Sequence, residues 1–222
     1  MTTPLKILIT GFEPFGGETL NPSWEVAKQL DGVQVLGAQV VAVQLPCVFS
    51  TALAALSKAL ATHQPQIVLS LGQADGRSDF SIERVAINVC DAKIPDNEGA
   101  QPIDEPIAVN GPAAYFSTLP IKKMASALKA HGFPAAISQT AGTFVCNQVF
   151  YGLQHALAGK AVMSGFVHVP LMPSQAAQRS GASLATMSTE TLRQALMCAL
   201  EVMVLHAQHG GADAKWGMGA NH

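Results

Sequence analysis

The chain has 222 residues, 49% of them apolar and 13% charged, with a net charge of −2 and an isoelectric point near 6.4. This is enough for one sizeable core over 1–222, and the Lys and Arg residues are too scattered to attract nucleic acid or an anionic membrane. The opening MTTPLKILIT has too short an apolar segment for a signal peptide, and no apolar run is of membrane length. The four cysteines (Cys47, Cys90, Cys146, Cys198) form no CxxC pair, so a cytoplasmic protein with reduced thiols and no metal site is expected.

Residues 5–10 (LKILIT) form an aliphatic run that stops at a glycine, as a buried parallel strand does before its loop. The loop GFEPFGG (11–17) follows, then a helix opened by Asn21 with Pro22 in first position and running to Leu30. Residues 33–45 alternate like a strand, 50–63 read as a helix and 67–71 as a second buried strand, which is β/α alternation. Residues 72–111 hold GQADGR, then ERVAINV as a strand, then DAKIPDNEGAQPIDEP, too rich in Pro, Asp, Asn and Gly for regular structure. Beyond it come a helix over 118–131, a strand over 135–138, a helix within 140–157, a strand over 166–170 and a last helix over 189–206. The tail from 209 to 222 reads as loose.

The stretch TAGTFVCNQVFYGLQHAL (140–157) places Cys146 in the first turn of its helix. There the helix dipole and unpaired N–H groups favour thiolate, so the sequence predicts a pKa below the free value of ~8.5. From position alone, a buried inert cysteine is an equally good reading. A cysteine nucleophile needs a base and an orienting group. In FVHVP the period of two sets His168 on a strand that otherwise reads as internal; a core histidine bonded to a carbonyl is the alternative. Glu83 stands at a strand entry beside an irregular loop, where it either orients an imidazole or pairs with Arg84 or Arg77.

Taken together, GFEPFGG with NPSWE, GQADGR, ERVAIN, IPDNEG, GPAAYF, TAGTFVCN with FYG, and GFVHVP resemble the pyroglutamyl-peptidase I (pyrrolidone-carboxylate peptidase) family of cysteine peptidases, collinearly from Leu5 to about Gln175. The resemblance implies an α/β three-layer sandwich, a twisted mixed sheet with helices on both faces, assembled as a homotetramer. It implies a triad of Cys146 as nucleophile, His168 as general base and acid, and Glu83 as orienting carboxylate, with no cofactor. The substrates it implies are N-terminally pyroglutamylated peptides, whose lactam would sit among Phe12, Phe15, Ile94, Phe144 and Val145. Backbone groups of Gln73 would read the lactam and Asn21 would fix the loop. Three departures stand out: GQADGR where GQAGGR is usual, Cys47 at a common pocket Thr, and Lys93 where Arg is common, which keeps the charge and loses the bidentate fork. The competing readings are a phosphate-binding α/β module cradled by GFEPFGG, which matches neither GxGxxG nor a P-loop, and a catalytically dead pyroglutamyl-peptide binder.

Overall fold

A computed structural model describes residues 4–179 and 184–219. The first strand, β1 (Lys6–Phe12), is buried along almost its whole length, as a strand covered on both faces must be. It leads into α1 (Pro22–Ala27), where Asn21 accepts from Ser23 N and Pro22 opens the helix; a 3₁₀ turn over Lys28–Leu30 closes it. The stretch 33–45, expected as one strand, is a hairpin of β2 (Gln34–Val35) and β3 (Ala38–Leu45). Leu36 and Gly37 both take positive φ, the requirement of a two-residue type I′ turn, and leucine gives no sequence signal for it.

Helix α2 (Ala52–His63) returns the chain to β4 (Ile67–Gln73). The expected strand 83–89 is instead two, β5 (Phe80–Glu83) and β6 (Val85–Ile87), because Arg84 turns the chain out of the main sheet; β6 pairs with β7 (Ala114–Phe116) as a separate ribbon. Then follow α3 (Ile121–Ala130), β8 (Ala135–Ser138), α4 (Val145–Leu157), β9 (Met163–Val169), an unforeseen short α5 (Pro173–Ala177) and α6 (Thr189–His209). After α6, Asp213 accepts from Lys122 N (2.9 Å) and Lys123 N (3.0 Å), so a carboxylate from the segment expected to be loose caps the N-terminus of α3. Residues 220–222 of that segment lie outside the described residues.

The main sheet runs β2-β3-β1-β4-β9-β5-β8 and is mixed: β3, β1, β4 and β9 are parallel, while β5 opposes β9. One face packs on α1, α3 and α6 through Ile7, Ile9, Leu69, Leu71, Val167 and Val169. The other packs on α2 and α4 through Leu8, Phe12, Val68 and Phe166. Each large aliphatic or aromatic side chain removed from water contributes about 1.5–3 kcal/mol, and α4 buries Val149, Phe150, Tyr151 and Leu153 completely.

From β1 the chain moves outward to β3, then crosses back over the opposite face to β4 on the other side of β1. The two directions of winding part between β1 and β4. The ladder between these strands stops at Thr10 and Ser70, yet β1 continues against β3 to Phe12 and β4 continues against β9 to Gln73. The sheet therefore splits at its C-terminal edge, the place where open α/β sheets bind ligands.

Candidate active site

His168, on β9, faces α4 and is 4% exposed. Its register partner on the adjacent strand is Gly72, so the two Cα atoms lie about 4.8 Å apart. Across the other edge of β9 it pairs with Ser81 of β5, and Glu83, two residues on, faces the same side. His168 Nδ1–H donates to Glu83 Oε1 at 2.8 Å, which leaves the Nε2 lone pair directed away from the carboxylate.

Glu83 is fully buried, and its charge is met from two sides: Arg77 Nη1 also donates to Oε1, at 2.7 Å. Arg77 Nη2 in turn donates to Thr140 O at 3.0 Å, tying the GQADGR loop to the entry of α4. Both sequence readings of Glu83, the ion pair with Arg77 and the contact with an imidazole, are thus realised by one oxygen. Removing either partner of a buried pair is costly because the other charge stays behind.

Cys146 is the second residue of α4. Its sulphur lies directly over Gly72: a Cβ at that position would stand 2.8 Å from Cys146 Sγ and 2.8 Å from Phe166 Cζ. Phe166 packs on His168 with ring centroids 4.9 Å apart. Sulphur, imidazole and carboxylate therefore share one face of the sheet, gathered around a glycine that leaves room for the sulphur. Among the described residues Cys146 makes no hydrogen bond to His168, a loose arrangement of the kind that tightens when substrate arrives. The N-cap Phe144 offers no side-chain cap, so the N–H groups of the first turn around Cys146 stay available to an incoming anion.

The expectation of a depressed thiol pKa is overturned. Burial pushes the Cys146 thiol well up, and Cys47 and Glu83 push it further; Arg77 and the backbone N–H of Cys146 pull the other way and lose. Helix position is legible in the sequence, whereas burial by segments distant in the chain is not. Cys47 is itself pushed up to about 12 by burial, then by Glu13 and Asp96.

Of the remaining expected residues, Phe12, Phe15, Phe144 and Gln73 border the split. Phe12 closes its floor, 6.4 Å from Phe166 between centroids, while Phe15 and Phe144 face one another at 6.0 Å. Phe49, not anticipated, meets Phe144 edge-on at 5.2 Å and completes an aromatic wall. Val145 is fully buried beneath it, and Lys93 and Ile94 stand exposed on the 91–99 loop. Asn21 Nδ2 donates to Glu13 O, so it holds the 11–17 loop as well as capping α1. Because Ala74 N donates to Val169 O, strand alternation turns the N–H and C=O of Gln73 away from β9 and into the split.

Other unanticipated residues stitch the wall together. Asp96 accepts from Phe49 N, Glu98 N and Ala100 N. Asn97 donates to Glu13 Oε1 and Pro14 O, and Glu13 Oε1 also accepts from Cys47 N. Asn147 and Gln148, beside the cysteine, bind backbone at Ile87, Val89 and Phe49. The IPDNEG run was the one available signal for Asp96 and Asn97. A cavity of about 640 Å³ opens at the far end of α4, between Gln64 and Lys160, away from this chemistry. Among the described residues no cluster of three or more His, Cys, Asp or Glu side chains is placed to hold a metal ion, and no helix is long and apolar enough to cross a membrane.

Residues 5–206 match the pyroglutamyl peptidase family. The pyrrolidone-carboxylate peptidase of Klebsiella pneumoniae is 56% identical over 217 residues, 97% of this chain and 99% of its own length. That of Yersinia pestis is 52% identical over 213 residues, 93% of this chain and 98% of its own. Among solved structures, pyroglutamyl peptidase I of Bacillus amyloliquefaciens superposes with a TM-score of 0.91 at 45% identity, covering 97% of this chain and 100% of its own. A mutant pyrrolidone carboxyl peptidase of Pyrococcus furiosus gives 0.89 at 47%, covering 91% and 99%. A match over nearly the whole chain, in sequence and in fold, means that the chain belongs to the pyroglutamyl peptidase family.

Proposed function

We propose that this protein is a cysteine peptidase that hydrolyses the amide following an N-terminal pyroglutamyl residue and releases free pyroglutamate. Cys146 is the nucleophile, His168 the general base and acid, and Glu83 the carboxylate that holds the imidazole in its productive tautomer. The observation that carries the reading is the 2.8 Å contact between His168 and Glu83 beside the glycine that seats the Cys146 sulphur.

Because the resting thiol is enclosed and held neutral, its proton passes to His168 Nε2 as sulphur attacks the pyroglutamyl carbonyl, and Glu83 stabilises the imidazolium that forms. The developing oxyanion takes the backbone N–H of Cys146; losing such a donor costs about 10²–10³ in rate. His168 then gives its proton to the departing amine, the C–N bond breaks, and a thioester remains. Water, deprotonated by His168, attacks the thioester; pyroglutamate leaves and the thiol recovers its proton.

The substrate head group is a neutral lactam, one N–H and one C=O on a small apolar ring, and an aromatic hollow with a few placed polar groups suits it. Phe12, Phe15, Phe144, Val145 and Ile94 would pack the ring. The Gln73 backbone would read the lactam, Asn21 would hold the loop, and Lys93 would meet the peptide beyond. A chromogenic amine conjugated to pyroglutamate tests the reading against prolyl and glutamyl conjugates, before and after thiol alkylation. Only the pyroglutamyl compound should be cleaved, and Cys146→Ser should lower kcat far more than it raises KM. Full activity in that variant overturns the nucleophile, and equal cleavage of the prolyl conjugate overturns the pocket.

The same reading carries a cytoplasmic location, one cooperatively unfolding domain and assembly as a homotetramer. Cell fractionation, calorimetry and light scattering test these in turn. A membrane-bound fraction, two separate transitions or a monomer at working concentration would count against them.

A further inference from the structure

Among the described residues, no backbone ladder beyond Thr10 and Ser70 joins the two lips of the split, the 13–21 loop on the β1 side and the 74–79 loop on the β4 side. The side chain of Arg179 spans them. Arg179, just past α5, donates from Nε (3.2 Å) and Nη2 (2.6 Å) to Glu18 Oε1 on the first lip, and from Nη1 to the Asp75 carboxylate on the second. Its own segment is fastened independently. Gln175 is 1% exposed, donates from Nε2 to Gln73 Oε1 at 3.1 Å, and accepts from Met172 N at 3.0 Å. Met187 N donates to Leu171 O at the root of the segment.

We propose that Arg179 is a positioning residue that sets the width of the lactam crevice by holding the Glu18 and Asp75 lips at a fixed separation. The proposal rests on the pyroglutamyl reading of the site. A guanidinium suits the task because it presents donors in a rigid planar fork; a lysine ammonium is a single point on a flexible stem. Arg179 is a third exposed, so its pairs contribute little to folding and are weakened by salt. What they set is the distance between Phe15, carried on one lip, and the Gln73 backbone at the foot of the other. Neither lip bears Cys146 or His168, and Arg77 fastens the second lip to Glu83 and Thr140 without help from Arg179, so loss of Arg179 falls on substrate binding rather than on the chemical step.

The test is steady-state kinetics of the pyroglutamyl conjugate for the parent, Arg179→Ala, Arg179→Lys and Asp75→Asn, at low ionic strength and in about 0.5 M sodium chloride. Arg179→Ala should raise KM roughly threefold to tenfold with kcat within about twofold, Arg179→Lys and Asp75→Asn should fall between, and salt should raise KM in the parent while leaving Arg179→Ala flat. An active parent whose KM is unmoved by Arg179→Ala, or a fall confined to kcat, overturns the proposal and leaves the peptidase reading standing. A parent inactive on the conjugate overturns the peptidase reading and this proposal with it. If Arg179→Ala fails to unfold cooperatively, the parent's salt response and Asp75→Asn decide: KM flat in both overturns the proposal.

Discussion

Gly72→Ala isolates the geometry on which the reaction depends. Gly72 does not have a positive φ, so alanine is allowed by the backbone and only space opposes it. The added methyl would stand 2.8 Å from Cys146 Sγ and 2.8 and 2.9 Å from Phe166 Cζ and Cε1, where ordinary contact begins at 3.4 Å. The neighbours must therefore retreat by about 0.6 Å or more. Phe166 is fully buried and wedged between Phe12 and Phe150, so the sulphur, at the end of a short side chain, yields first. It moves off β4 and out of the seat that Gly72 leaves for it. A misplacement near 1 Å costs about 10²-fold in rate, or roughly 2.7 kcal/mol of barrier. Overpacking alone destabilises by about 1–3 kcal/mol, which a folded protein tolerates. The assay is kcat/KM on the pyroglutamyl conjugate, with a thermal scan to show that the variant is folded and a crystal structure to locate the sulphur. A folded variant within about threefold of the parent would refute the claim that the glycine makes room for a working sulphur.

Three further perturbations follow from charge. Glu83→Gln keeps a hydrogen-bonding amide beside His168 but removes the negative charge facing the imidazolium; kcat should fall by about 10²–10⁴ with KM little changed, and a loss under tenfold in stopped-flow or steady-state assays would count against an orienting role. The Asp96 carboxyl is held below its usual range: burial works to raise it, but the N–H groups of Phe49, Ala100, Glu98 and Gly99 outweigh that. A depressed carboxyl stabilises the fold above the unfolded pKa of ~3.9, and that contribution is lost as pH falls through the folded value. Chemical denaturation of Asp96→Asn should therefore show a shallower acid limb below about pH 4 than the parent; superimposable limbs would discount the carboxylate. At the alkaline end, burial lifts Cys47 to about 12, helped by Glu13 and Asp96, and Cys90 to about 11, helped by Glu105. Unfolded thiols ionise near 8.5 while the folded ones stay protonated, so stability should fall above about pH 9 by up to ~1.4 kcal/mol per pH unit for each thiol. Cys90→Ser should remove one such increment, and an unchanged slope would show that this thiol is not shielded.

What could be read from the sequence divides along a physical line. LKILIT and the 67–71 run announce strands buried on both faces because apolar residues fall on both sides of each, and Asn21 with Pro22 announces a helix start through local hydrogen bonding. Cys146, His168 and Glu83 could each be named as candidates from local pattern, but a bland reading stood beside each, and only the family resemblance joined them as a triad. The thiol pKa could not be read, because the positive end of α4 is a local property, while the burial that raises it and the charges of Cys47 and Glu83 come from segments distant in the chain. Phe49 and Arg179 escaped for the same reason: their partners lie up to 161 residues away, and an arginine in a polar loop carries no mark of the carboxylates it will meet. The register is the sharper case. The strands β1 and β4 are equally apolar and each could pair along its full length, yet their ladder ends at Thr10 and Ser70 because β1 leaves with β3 and β4 leaves with β9. That divergence opens the space between Phe12 and Gln73. It depends on how β3 and β9 draw β1 and β4 apart, so candidate catalytic residues could be named one at a time while the cleft between these strands was a property of the whole sheet.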